Sequence, residues 1–385
     1  MDAKKLIKNK SMCVIPWTGF LLEPDGGVKN CVISKKRIGN INTTPIKEIL
    51  GGETNLSIKE KMLADQKPRA CEGCHLQETD RHDLESISSR LYYLKEIGAR
   101  TDLGLYSDKD NFSLHHVDLR WTNSCNQACV YCDASLSSKW AHELGVKVRS
   151  KTESRQEVKD YVFENIAQLK NVYLAGGEPM LMKENFEFLK LLKEKNPECT
   201  VRVNTNLSTT QTGIFDLLCS FPNLHWTVSV ESIEEEYDYI RHHGSWEDFI
   251  GNLKIIKNLN HKISFNMLHF ILNYESMFDC IDYFKGMGFN DNSFIAGPLY
   301  TPEYLHTLNL PDATVRHVYD ILERRLEDKP TGYLKNSYEN LLTYYQNTQW
   351  RKDTDRFFTE TDIRDTRRGT SCKKVFPKLY GVLDA

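Results

Sequence analysis

No apolar run in the 385 residues is long enough to cross a bilayer, and the basic opening Met1-Asp-Ala-Lys-Lys-Leu-Ile-Lys-Asn-Lys10 leads into no apolar stretch. A membrane span and a secretory signal are therefore not expected. A dominant charge is lacking too. The 50 basic and 53 acidic residues leave a net charge of −3, so no global field draws in duplex DNA or RNA, although a nucleotide is not excluded. Internal repeats and low-complexity tracts are also missing. What is abundant is cysteine. Eleven cysteines without an export signal point to a reducing cytoplasm and to metal chemistry rather than disulfides. The length and the 40% hydrophobic content suit one large domain with a smaller one.

Three of the cysteines, Cys125, Cys129 and Cys132, fall in the run Trp121-Thr-Asn-Ser-Cys-Asn-Gln-Ala-Cys-Val-Tyr-Cys132. A cubane cluster has four irons, so a loop that supplies three thiolates holds the cluster and leaves one iron free for a substrate. Zinc usually takes four closed ligands, commonly in two pairs, and three cysteines in eight residues fit that poorly. The Cys-x3-Cys-x2-Cys spacing, with Tyr131 before the last cysteine, resembles the signature of the radical S-adenosylmethionine (radical SAM) enzymes. That resemblance implies a cluster that passes one electron to SAM, releasing a 5′-deoxyadenosyl radical that abstracts hydrogen from a substrate. It also implies an electron donor such as flavodoxin or ferredoxin.

A second landmark strengthens the resemblance. Asn171-Val-Tyr-Leu-Ala-Gly-Gly-Glu-Pro179 reads as a short buried strand that ends in Gly176, Gly177, Glu178 and Pro179. Two glycines let backbone approach a ligand closely, and the proline stiffens the exit. By resemblance this turn holds the amino group of SAM. Alone it would be ordinary turn chemistry; placed behind a helical stretch that follows the cysteine loop, it is specific.

Upstream lie Cys13, Cys31, Cys71 and Cys74, the last two as Cys-x-x-Cys. Four thiolates close a site, which suits structural zinc or a fully ligated iron–sulfur cluster, and ligand count does not separate the two. The segments Cys13-Val-Ile-Pro-Trp17, Pro24-Asp-Gly-Gly-Val28 and Arg37-Ile-Gly-Asn-Ile41 resemble the twitch or SPASM-type modules of the same enzymes. This implies a second, auxiliary 4Fe-4S cluster, here in a module that precedes the barrel. The single cysteines Cys199, Cys219 and Cys280 read as core packing, and Cys372 as an exposed thiol.

From Leu114 onward, apolar strand-like runs at 115–121, 171–175, 200–205, 225–230, 262–272 and 292–296 alternate with helical patterns at 153–169, 183–195, 210–219, 246–258 and 276–287. That order predicts an α/β fold with a parallel sheet and right-handed crossovers. The resemblance implies a partial (β/α)6 TIM-like barrel with a small N-terminal α+β cluster-binding module. The expected organisation is a module at 1–76, a charged helical connector at 77–113, the barrel at 114–299 and a helical extension at 300–385. In the extension, helices are predicted at 311–327 and 334–346, and the basic stretch beyond Trp350 reads as a solvated helical face rather than a cap on the barrel.

Further SAM contacts implied by resemblance are Asn206 at the end of the third strand, Ser229 at the end of the fourth, and Arg241 in Tyr239-Ile-Arg241. Asparagine and serine there are also ordinary turn formers. The family commonly has Ser-Ile-Asp-Gly where this chain has Ser229-Val-Glu-Ser232, so Glu231 is a departure. The pairs His115/His116 and His242/His243 read as packing or loop residues, one of each pair facing inward. The function expected is SAM cleavage and hydrogen abstraction, with a net oxidation or cross-link in a peptide or small molecule. Only twelve residues precede Cys13, so an upstream precursor-peptide-binding domain is not expected. The alternatives are a nucleoside- or nucleotide-modifying radical SAM enzyme, which would need a basic barrel mouth, and a non-catalytic iron–sulfur or zinc scaffold.

Overall fold

The computed structural model describes residues 9–78, 88–148 and 151–384. Residues 1–8 of the expected module, 79–87 of the expected connector, 149–150 and 385 lie outside the described residues. Strands β1 (Gly19–Leu22), β2 (Gly27–Lys29), β3 (Gly39–Asn40), β4 (His116–Leu119), β5 (Asn171–Leu174), β6 (Thr200–Thr205), β7 (Leu224–Ser229), β8 (Lys262–His269) and β9 (Phe294–Pro298) form one sheet. Its order is β3-β2-β1-β4-β5-β6-β7-β8-β9. From β4 to β9 every neighbour is parallel and in sequence order. The N-terminal hairpin joins the same sheet, because β1 pairs in parallel with β4 while β2 and β3 continue antiparallel.

Alternation along the strands sorts the two faces. Val117, Leu119, Val172, Leu174, Val201, Val203, Trp226, Val228, Phe265 and Met267 point one way and are buried. Helices α1 (Thr152–Glu164), α2 (Lys183–Lys195), α3 (Gly213–Cys219), α4 (Trp246–Lys257) and α5 (Ser276–Gly286) alternate with the strands, and their apolar stripes join that core. Phe215 packs on Trp226 and Phe284 stacks on Phe265. Parallel sheets are usually apolar on both faces. Here the opposite face of β4 to β7 carries His116, Asp118, Tyr173, Arg202, Asn204, His225, Thr227 and Ser229 in the alternate positions, as expected where a barrel encloses a polar lumen.

Side-chain caps set helix starts where the sequence places hydroxyls: Thr212 accepts from the Phe215 amide and Ser245 from the Asp248 amide. Beyond β9 come α6 (Asp312–Glu327), α7 (Gly332–Asn347) and α8 (Thr354–Arg368). α7 covers the last barrel strand, where the Ala296 amide donates to Ser337 Oγ at 2.9 Å.

The structure departs from the sequence expectation at several boundaries; β4 ends at Leu119 rather than 121, and α3 begins at Gly213 rather than 210. β8 stops at His269 rather than 272, because Asn273 folds back to accept from the Phe270 amide and to donate to the Leu268 and Glu231 carbonyls. β9 begins two residues late, after a tight turn at Asp291–Ser293 capped by Asn290. α1 ends at Glu164, and its expected continuation is a separate short turn at Ile166–Gln168. α8 is also not a solvated face. Phe357, Thr361 and Arg364 are buried along one side of it.

Two buried histidines carry a pH prediction. His116 bonds the Asn171 carbonyl, and His269 sits between the Tyr345 hydroxyl and the Tyr274 carbonyl. Burial pushes both pKa values down to about 4. The unfolded chain therefore binds more protons below the ordinary histidine value. Stability is full above about pH 6.5 and is lost as pH falls toward 4, by about 1.4 kcal/mol per pH unit for each histidine. Denaturant titrations of the apoprotein at pH 7, 6 and 5 check this, and a flat profile would contradict it.

Candidate active site

The three cysteines of the Cys125–Cys132 loop leave the C-terminal end of β4, where barrel active sites form. Cys129 is buried, and Cys125 and Cys132 are partly so. The loop has no regular structure, so its backbone is held by specific bonds. Ser138 Oγ accepts from the Cys125 amide and donates to the Cys125 carbonyl. Trp140 Nε1 donates to the Cys129 carbonyl at 2.7 Å, and Ser137 Oγ to the Gln127 carbonyl at 2.6 Å. On the other side, the amides of Ala128 and Val130 donate to the carbonyls of His242 and Ile240. The Tyr239-Ile-Arg241 segment is thereby stitched to the cysteine loop, a pairing that no local sequence signal announces.

The Gly-Gly-Glu-Pro turn ends β5 beside this loop. Gly176 has φ +107°, a conformation that favours glycine. A Cβ on Gly177 would lie 2.1 Å from the Ser124 carbonyl oxygen, and the Glu178 amide donates to that same oxygen at 2.7 Å. The close approach expected of these glycines is thus, at Gly177, an approach to the cysteine loop's own backbone. Gly177→Ala is expected to lower stability by about 1–3 kcal/mol through forced displacement of backbone, measurable as a drop in denaturation midpoint; an unchanged midpoint would refute the contact. Glu178 is fully buried. Its carboxylate accepts from the Met180 amide, Thr205 Oγ1 and the Asn206 amide, tying the turn to the end of β6. Burial raises its pKa to about 7 against the pull of those donors. Pro179 is buried and opens the next turn.

Tyr131, Glu231 and Arg241 form one buried network. Arg241 Nε and Nη2 donate to the two Glu231 oxygens at 2.8 and 2.7 Å. Nη2 also donates to the Tyr131 hydroxyl at 2.8 Å, and that hydroxyl donates to Glu231 at 3.0 Å. Nη1 lies 4.0 Å from Cys129 Sγ. Arg241 and Glu231 are 2% and 1% exposed, so Arg241 is not a surface helix residue. Glu231 thus has a definite place: it fixes both Tyr131 and Arg241.

Asn206 Nδ2 donates to Asn126 Oδ1 at 3.0 Å and lies 3.9 Å from Cys125 Sγ. Asn126 in turn donates to Ser208 Oγ at 2.8 Å. Ser229 ends β7 on the lumen face, its hydroxyl 3.5 Å from Asn204 Oδ1. Asn126, Ser138, Trp140 and Glu231 are site residues that sequence reasoning missed or left without a role. Only the serine spacing, Ser137-Ser138 just past the last loop cysteine, offered a signal.

The second cysteine set also converges. Cys13, Cys31, Cys71 and Cys74 line one pocket together with Ile33, Ser34, Ser89, Arg90 and Tyr93. Burial first, then repulsion from Cys31 and Cys71, holds the Cys13 thiol well above its ordinary pKa. Burial pushes Cys71 and Cys74 up to about 12. Four sequestered thiols that resist ionising alone fit a site where a bound cation supplies the compensating charge. The cysteine loop fits likewise: burial, reinforced by Cys129, raises Cys125 to about 12.

The other cysteines take no part. Cys199 and Cys280 are buried and Cys219 is partly so. Cys372, expected to be exposed, is fully buried, because the Asp365 carboxylate accepts its amide at 2.6 Å and draws the segment onto α8. His116 is buried while His115 is partly exposed, and His242 and His243 lie near the surface. Glu143, His242 and His243 place ligand atoms within 4.8 Å of one another, but Glu143 is already paired with Arg368 at 3.1 Å.

Residues 119–284 match the Radical SAM superfamily, and residues 13–75 match an iron–sulfur cluster-binding domain, SPASM. Among curated proteins, 7-carboxy-7-deazaguanine synthase of Clostridium acetobutylicum is 40% identical over 82 residues, covering 21% of this chain and 33% of that protein. The FeMo cofactor biosynthesis protein NifB of Methanocaldococcus infernus is 28% identical over 106 residues, covering 26% and 34%. The chain's matched segments span about a third of the length of these relatives. Among solved structures, native anSMEcpe with bound AdoMet overlaps 57% of this chain and 62% of its own at 14% identity, with a TM-score of 0.42. Streptococcus suis SuiB bound to precursor peptide SuiA overlaps 58% and 48% at 13% identity, with a TM-score of 0.42. Among the described residues, no helix is long and apolar enough to cross a membrane.

Proposed function

We propose, for a chain that carries a radical SAM domain at residues 119–284 and an N-terminal iron–sulfur cluster-binding domain at residues 13–75, the reductive cleavage of SAM followed by hydrogen abstraction from a bound substrate. The observation that carries this reading is the direct bond between the cysteine loop and the Gly-Gly-Glu-Pro turn, Glu178 amide to Ser124 carbonyl. Cys125, Cys129 and Cys132 would hold a 4Fe-4S cluster, which would supply the electron for SAM cleavage.

The chain's own residues do the rest. Gly176, Gly177, Glu178 and Pro179 present backbone groups to the SAM amino group. Asn206 and Ser229 offer an amide and a hydroxyl to its ribose or carboxylate, and Arg241, held by Glu231 and Tyr131, keeps a cationic edge beside Cys129. The Tyr131 and Phe270 rings meet in a T-shaped arrangement, an apolar contact that helps keep water from the reacting radical.

Cys13, Cys31, Cys71 and Cys74 hold the auxiliary 4Fe-4S cluster. Four thiolates leave no vacant iron for substrate, which favours an electron-accepting role and a net oxidation or cross-link in a peptide or small molecule. Flavodoxin or ferredoxin is the class of reductant. A nucleoside triphosphate substrate is disfavoured, because it calls for several unmatched cations and Arg120 on the lumen face is already bound to Asp118 through both oxygens. The test is anaerobic: reconstituted protein with dithionite and SAM releases 5′-deoxyadenosine. No release from iron-replete protein would refute the reading.

A further inference from the structure

The lumen face contains a cation that nothing in the SAM site uses. Strand register places Asp118, Tyr173, Arg202 and His225 in one row across β4 to β7. Asp118 is spoken for, since Arg120 Nε and Nη2 both reach it at 3.0 Å. Arg202 has no ion pair among the described residues. Its guanidinium carbon lies over two rings, 4.8 Å from the centroid of Tyr92 and 5.5 Å from that of Tyr173. Its Nε is buried without a hydrogen-bond partner, while the guanidinium shares a hydrogen bond with the Tyr92 hydroxyl. His225 contributes no negative charge, being bonded to Ser264 Oγ and, with burial and Arg202 both disfavouring its protonation, neutral.

An unmatched guanidinium is costly to sequester unless something compensates its charge. The tyrosine rings and the Tyr92 hydrogen bond offset part of that cost, but among the described residues no anion pairs with the guanidinium and its Nε has no partner. A planar carboxylate is the group that a guanidinium edge recognises. Charge decides against a phosphate dianion: the row holds one surplus positive charge, because Asp118 and Arg120 cancel. We propose that Arg202, flanked by Tyr92 and Tyr173, binds a carboxylate of the substrate. This rests on reading the lumen as the substrate chamber. Arg202 and Asn206 share the lumen side of their chain segment, four residues apart, so the carboxylate is anchored roughly 13 Å down the strand from the cysteine loop. The substrate is therefore an acid whose carboxylate is remote from the carbon that reacts.

Saturation-transfer NMR on the full chain, without SAM or reductant, tests this with three probes. They are N-acetylglycine, its neutral amide, and glycerol 3-phosphate. N-acetylglycine binds the wild type best, its affinity falls at least tenfold in Arg202→Gln, part of the loss returns in Arg202→Lys, and Arg351→Gln at an exposed site changes nothing. The lysine variant keeps the test open if the glutamine variant misfolds. Equal binding of N-acetylglycine by wild type and the Arg202 variants, or no binding by folded wild type, overturns the proposal. Stronger binding of glycerol 3-phosphate overturns the choice of carboxylate. Because no SAM cleavage is measured, failure here is distinguishable from failure to release 5′-deoxyadenosine.

Discussion

Replacing Cys125, Cys129 and Cys132 together with alanine is expected to abolish 5′-deoxyadenosine release and to lower reconstituted iron from about eight to about four per chain. The partial loss is the informative part. The two cysteine sets sit on different elements, one on the loop after β4 and the other on the segments around β1, β2 and the Cys-x-x-Cys turn, with Arg90 and Tyr93 lining the second pocket. Neither set supplies a ligand to the other, so emptying one leaves the other intact. The converse variant, Cys71 and Cys74 to alanine, should retain about four irons and still cleave SAM without completing turnover. Four irons in the wild type would remove the auxiliary cluster. Complete loss of iron in the triple variant would mean that the sites depend on each other, and zinc in place of the second four irons would turn the module into a structural clasp.

What was legible in the sequence was whatever depends on near neighbours. The cysteine spacing, the Gly-Gly-Glu-Pro turn and the alternation of strand and helix all lie within short windows, and the sheet order follows the chain from β4 to β9. What was illegible depends on residues brought together from afar. Glu231 looked like a departure from the family pattern because its partners are Arg241 and Tyr131, and Tyr131 lies on a loop after a different strand. Cys372 looked exposed because the sequence does not reveal that Asp365, itself held by the distant Tyr239 hydroxyl, folds its segment onto α8. The basic stretch near the C-terminus looked solvated because charge counts cannot register that Arg368 lies over the Trp140 ring, 4.4 Å from its centroid, and pairs with Glu143. In each case a charged side chain is held by a partner remote in sequence, which hydrophobic periodicity does not encode.

The Arg241 network yields the second large effect. Arg241→Met removes the cation from a pair in which both members are almost fully buried and leaves Glu231 with one hydrogen bond, from Tyr131. Stripping one partner from a buried ion pair typically costs about 3–5 kcal/mol, read as a lower denaturation midpoint. Burial already disfavours the Glu231 carboxylate, and Arg241 is the largest influence holding it ionised. Without the arginine, Glu231 therefore takes up a proton, and the variant's loss of stability grows from acidic to neutral pH. The double variant Arg241→Met/Glu231→Leu should recover much of the loss, since no charge is then left unmatched and coupled residues are not additive. Activity separates the roles. If Arg241 acts through Tyr131 on the cysteine loop, both variants bind SAM with near wild-type affinity but cleave it slowly. If Nη1, the corner not engaged with Glu231, meets the SAM carboxylate, affinity falls in both and is not restored with stability. A double variant as unstable as the single one would show that Arg241 stabilises the fold through packing rather than through charge.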